Sequence, residues 1–176
     1  MRFRKRYLIL GPLGLLILAL IAIQFIPTDF SRDNPPVIAE PAWDSELTRA
    51  LAVEACYDCH SNQTVWPWYS RIAPMSWVIE QDVRKGREAL NFSEWTPEEQ
   101  AKVDTEEMVE LVSKGQMPLP YYNILHPGAR LSESEKGQLI TGLIATLEGG
   151  SQEGLTPEEM NQADEPGRGN QTEETE

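Results

Sequence analysis

Cys56-Tyr57-Asp58-Cys59-His60 holds both cysteines of the 176-residue chain and one of its two histidines. Two thiols separated by two residues, with a histidine directly after the second, form the attachment pattern of a c-type haem. The spacing follows from the chemistry: the thiols add across two vinyl groups on one edge of the porphyrin, and the histidine is carried under the iron. One covalently bound haem c on Cys56 and Cys59, with His60 as proximal axial ligand, is the cofactor this stretch implies.

Three other readings use the same residues. A dithiol redox pair sits by preference at a helix N-terminus beside a βαβ pattern, whereas these cysteines follow a helical stretch in a chain without strand signals. A zinc site from Cys56, Cys59 and His126, or with His60, lacks a second closely spaced ligand pair. Two buried structural cysteines with no ligand complete the set.

Working outward, the pattern is helical with punctuated ends. Asp44 is placed to cap a helix to about Ala55 that turns Leu47, Leu51, Ala50 and Ala55 inward. Pro74 opens a second helix to about Leu90, with Trp77, Val78, Val83 and Leu90 as apolar candidates. Thr96 with Glu99 and Asp104 with Glu107 mark one helix or two over 97–114. Ser132 with Glu135 starts a last helix whose Leu139, Ile140, Leu143, Ile144 and Leu147 recur at helical spacing until Gly149-Gly150. No segment alternates with period two. The fold class is all-α: a small cytochrome-c-like helical domain around one haem, over residues 41–148, preceded by a single transmembrane helix.

That span is read from Leu8 to Ile26, 19 residues without a formal charge. As a helix it is about 28 Å long, against a hydrocarbon core of about 30 Å. Arg2, Arg4, Lys5 and Arg6 precede it and no acid does, which holds the start, residues 1–26, as a cytoplasmic basic tip and membrane anchor and sends the rest across. The expected location is the cytoplasmic (inner) membrane, single-pass, with the C-terminal domain extracytoplasmic. A cleaved signal peptide is the competing reading, weakened by the length of the run and by the lack of an Ala-x-Ala site. Residues 27–40 carry three prolines and read as an extended tether. Residues 149–176 hold eight acids and one Arg and read as a disordered acidic tail.

Of 15 Lys and Arg, four precede the apolar run, which leaves 11 against 28 acids. Nucleic acid is excluded as a partner on this charge, and redox partner proteins with basic docking faces suit it. For the sixth ligand, Met117 lies in the Gly/Pro-rich stretch Lys-Gly-Gln-Met-Pro-Leu-Pro before the last helix, and His126 is the alternative. Met75 and Met108 read as packing. His60 needs an acceptor for its other ring nitrogen, expected near Pro67 or Pro74. Trp66, Trp68, Tyr69 and Trp77 are candidates to wall the haem, and Arg71, Arg84, Lys85 and Arg87 to neutralise its propionates.

The run from Cys56 through Ser61-Asn62-Gln63-Thr64-Val65-Trp66-Pro67-Trp68-Tyr69-Ser70, with Ile72-Ala73-Pro74, Gly86-Arg87, Leu90-Asn91-Phe92-Ser93, Trp95, Met117-Pro118, Tyr122 and His126-Pro127, resembles the bacterial haem-binding domain family of membrane-anchored, cytochrome-c-like proteins. The resemblance covers about Pro41 to Leu147. It implies covalent haem on Cys56 and Cys59, His60 as proximal ligand and an exported location. Distal ligation by Met117 rests on similarity to the Met-Pro loop of small cytochromes c. The expected function is electron transfer by a membrane-tethered haem protein rather than catalysis; the alternative is a haem sensor or peroxidase-like protein with an open or labile sixth site.

Overall fold

The computed structural model describes residues 2–27 and 30–152; the acidic residues beyond Gln152 lie outside them. Eight α-helices and no strand occur among the described residues, with one isolated parallel bridge between Ala39 and Glu94. The all-α expectation holds. The helices are α1 (Arg2–Ala22), α2 (Glu46–Ala55), α3 (Tyr57–His60), α4 (Met75–Ala89), α5 (Pro97–Gln100), α6 (Thr105–Ser113), α7 (Tyr122–Leu125) and α8 (Glu133–Gln152). Short 3₁₀ turns occupy Ile23–Phe25, Trp68–Arg71 and Pro127–Ala129.

α1 covers most of the apolar stretch Leu8–Ile26 and leads into the turn at Ile23. Among the residues whose side chains are described, no helix is long and apolar enough to cross a membrane.

Helix starts follow the capping chemistry. The first domain helix is capped by Ser45, not Asp44: the Ser45 hydroxyl accepts from the Thr48 N–H, while the Asp44 N–H donates to Thr146 Oγ1. Both residue types cap well, by about 1 kcal/mol, so the one-residue shift is decided by the tertiary bond to α8. Residues 97–114 form two helices. Thr96 caps α5 and Asp104 caps α6, and Glu99 accepts from the Asn91 N–H instead of closing its box on Thr96. Ser132 and Glu135 form a complete reciprocal box on α8. α8 runs through Gly149-Gly150 to Gln152, past the expected stop.

The core gathers Leu51, Ala52 and Ala55 of α2, Tyr57 of α3, Phe92, Leu131, and Leu139 and Leu143 of α8. Trp43, Tyr57 and Trp95 surround the Phe92 ring, Tyr57 stacked on it at 5.7 Å between centroids. α2 presents Thr48, Leu51, Ala52 and Ala55 inward; Leu47 and Ala50 are exposed, contrary to expectation. The phase is set where α2 meets α8, since a Cβ at Gly142 would lie 1.9 Å from Thr48 Oγ1. In α4 the buried side is Ser76, Glu80, Val83 and Gly86, and Val78 is exposed. α3 packs directly on that face at Gly86, where a Cβ would meet the Cys59 carbonyl oxygen at 2.4 Å.

The Pro-rich segment lies along the domain from Phe30 onward. Arg32 donates to the Ser70 carbonyl at 2.9 Å and pairs with Glu80. Asn34 donates to the Thr64 carbonyl, Ile38 and Ala39 donate to the Ser93 carbonyl, and Glu40 holds Arg49 by two bonds.

Candidate haem site

α3 is a single turn following directly on α2, so Cys56 stands at the junction and Cys59 and His60 sit one turn later. The turn is held by Cys59 N–H and His60 N–H, which both donate to the Cys56 carbonyl. Its seat is built by the polar residues that follow. The Phe92 N–H donates to the His60 carbonyl at 2.8 Å, the Asn62 N–H to Ser93 Oγ, and Asn91 Nδ2 to Asn62 Oδ1. Ser61, Asn62, Asn91 and Ser93 are all buried, and each is hydrogen-bonded.

This interlock fixes the histidine. His60 Nδ1 lies 3.1 Å from the Leu90 carbonyl oxygen, which selects the Nδ1–H tautomer and leaves Nε2 for a metal. The acceptor is therefore on the segment after α4, not near Pro67 or Pro74 as the sequence suggested; the loop before α4 is spent on the Trp68–Arg71 turn. Burial lowers the pKa of His60 and favours the neutral ring that ligates metal.

Cys56, Cys59, His60 and Met117 line one cavity of about 300 Å³, together with Ala89 and Tyr122 among others. A second cavity of about 220 Å³ shares Cys56, His60, Met117 and Pro118 and extends toward Met108, Leu139 and Leu143. A third, of about 280 Å³, shares Cys59, Asp82 and Tyr122 and reaches Val65, Met75, Ile124 and Leu125. The donor set fits a haem: two free thiols, an oriented imidazole and a thioether around mostly apolar walls. Burial pushes both thiols up to about 12, with the Asp82 and Asp58 carboxylates adding to the effect at Cys59. Reactive dithiols have lowered values, so the redox-pair reading gains nothing. No cluster of three or more His, Cys, Asp or Glu able to hold a metal ion occurs among the described residues, the zinc set included.

His126 stands elsewhere. It lines none of these cavities, stacks on Tyr122 at 3.9 Å, donates from Nδ1 to the Tyr122 carbonyl and accepts from the Tyr69 hydroxyl at Nε2. Met75 and Met108 each line one neighbouring cavity. Trp66, Trp68 and Trp77 line none, and of the aromatic quartet only Tyr69 does. Of the cations, Lys85 reaches the cysteine cavity; Arg71 and Arg84 are exposed, and Arg87 is bonded to the Ser61 carbonyl, Asn34 and Thr64. Sequence reasoning missed Tyr121 and Tyr122 as site residues. Tyr122 donates to Asp58 between the cysteines, and Tyr121 to Asp82 Oδ2 at 2.7 Å.

An all-helical domain whose Cys-x-x-Cys-His turn opens on an apolar cavity presents the donor set of a haem-binding protein. A family model for the haem-binding domain matches residues 18–145, and the chain belongs to that family. The chain matches no curated protein and no solved structure.

Proposed function

We propose that the protein is a membrane-tethered monohaem c-type cytochrome that passes electrons between extracytoplasmic redox partners. The observation that carries this reading is the convergence of Cys56, Cys59, His60 and Met117 on one cavity. Cys56 and Cys59 would hold the haem by thioether bonds, His60 Nε2 would take the proximal position and Met117 the distal one. When bound, the haem supplies a one-electron ferric/ferrous couple. The chain's own part is to orient His60 through the Leu90 carbonyl, to exclude water with apolar walls, and to present a thioether, which raises the potential relative to a second imidazole. Leu8–Ile26 would form the single span and the basic start would stay in the cytoplasm. The acidic surplus of the rest favours partners with basic docking faces.

The test is the oxidised and reduced absorption spectrum of the full chain made with a haem-attachment system, beside Met117→Ala and His126→Ala, plus a haem stain of the denatured protein on a gel. Haem retained on the gel and a weak red-end band lost only in Met117→Ala are expected. Haem lost on denaturation would overturn covalent attachment. A high-spin spectrum indifferent to both substitutions would overturn His/Met ligation and favour the sensor or peroxidase-like reading.

A further inference from the structure

The end of the apolar helix is fastened to the haem domain at one point. Gln24 Nε2 donates to the Ala73 carbonyl and Gln24 Oε1 accepts from the Ala73 N–H, both at 2.9 Å. A side-chain amide that pairs with both the N–H and the C=O of one residue fixes direction as well as position. The chain then folds back on the same part of the domain. Phe30 packs edge-on to Trp66 at 5.8 Å, and Arg32 donates to the Ser70 carbonyl within the Trp68–Arg71 turn.

Around this junction the surface is apolar without a protein partner. Phe25 is 81% exposed on the helix side; on the domain side Trp68 is 76% exposed, and Ile72 and Met75 flank Ala73 with exposed side chains. Met75 is also on the rim of the cavity that shares Cys59 and Tyr122 with the haem site. Water contact with this much apolar surface costs about 25 cal/mol per Å². Trp68 and the exposed Arg71 lie in the turn that leads to Ala73, the residue Gln24 holds, and tryptophan with arginine is the composition of a headgroup boundary.

We propose that the Trp68–Met75 segment is a second membrane contact, lying in the bilayer interface beside the emerging helix and holding the haem cavity against the membrane surface. The occupant is the lipid surface because the patch is continuous with the apolar helix through the Gln24–Ala73 contact. The inference rests on the anchoring reading given above.

The full haem-loaded chain is reconstituted in phospholipid vesicles and a nitroxide is placed in turn at Trp68→Cys, Ile72→Cys and, on α8, Glu133→Cys, whose native side chain is 88% exposed. Oxygen, which concentrates in lipid, and a water-soluble nickel chelate report the environment of each label. Labels at 68 and 72 are expected to favour oxygen and the label at 133 the chelate, with the contrast lost when Gln24→Ala is added. Vesicle-bound protein whose labels at 68 and 72 favour the chelate overturns the proposal, and so do labels shielded from both reagents, which would mean a protein partner. Failure of the chain to float with the vesicles overturns the anchoring reading itself.

Discussion

The Tyr122 hydroxyl donates its hydrogen bond to Asp58 Oδ2, which ties the segment following Met117 to the residue between the two cysteines. Asp58 is held in turn, its Oδ1 accepting from the Val65 N–H and its carbonyl from Thr64 Oγ1. Tyr121 makes the parallel bond to Asp82 on α4. Burial and the carboxylate partner raise the pKa of both phenols, so they remain donors at neutral pH. The Met117 loop is thus anchored from both sides of the cavity.

Tyr122→Phe removes a bond to a charged acceptor, worth about 1.5–3 kcal/mol. Because the loop carries the proposed sixth ligand, the loss is expected as tighter binding of an external ligand, by about tenfold or more at 1.4 kcal/mol per decade. Spectral titration of the ferric protein with imidazole measures it. Affinity equal to wild type would show that the loop does not depend on this bond.

Gly86→Ala tests the α3–α4 contact. The new methyl group would stand 2.4 Å from the Cys59 carbonyl oxygen, a backbone atom that cannot swing away. Overpacking of this kind costs about 1–3 kcal/mol, and the displaced turn is the one carrying the thiols. A lower melting temperature and reduced haem loading are expected. Gly137→Ala meets no atom within 4 Å and should stabilise α8 by about 0.5–1 kcal/mol. Thermal melts followed by circular dichroism compare the two.

Legibility tracked the range of the interactions. The Cys56–His60 turn and the caps at Thr96, Asp104 and Ser132 are local chemistry, and the sequence carried them. The start at Ser45 rather than Asp44, and the exposure of Leu47 and Ala50, depend on where α8 crosses α2, a contact about a hundred residues away in the chain. The Leu90 acceptor of His60 lies 30 residues beyond it, and no local period announces such a pair. The aromatic residues after His60 were visible as a cluster, but irregular backbone has no period to tell which of them turn toward the cavity. Tyr122 is visible in the sequence only as part of the family resemblance, and the role of the Tyr121–Tyr122 pair at the site is not legible there because tyrosines in a Pro-rich loop carry no spacing signal.

Asn62 is the centre of the interlock behind the histidine. It joins the buried Ser93 and Asn91 to the carbonyl of the exposed Pro36 and to the half-buried Glu94. Asn62→Ala leaves Asn91 Nδ2 without its acceptor and removes two donated bonds, which costs roughly 2–4 kcal/mol. Urea unfolding should show a lower midpoint with an unchanged slope. A midpoint within error of wild type would remove the network from the account of how His60 is oriented.

Glu40 and Arg49 supply the pH-dependent element. Arg49 Nε and the Arg49 terminal NH₂ donate to the two Glu40 oxygens at 2.8 and 3.0 Å. The hydrogen bond from Arg49 holds the Glu40 carboxyl below its ordinary value of 4.5. A carboxyl lowered in the folded state releases its proton more readily there than in the unfolded chain. Its contribution is therefore full above pH 4.5 and lost as pH falls through the lower folded value. The pair is partly solvated, so the contribution is below about 1 kcal/mol. Glu40→Gln should lower the urea midpoint slightly at pH 7 and flatten its fall below pH 4.5. Parallel midpoint-against-pH curves for the two proteins would show that the pair contributes nothing to acid stability.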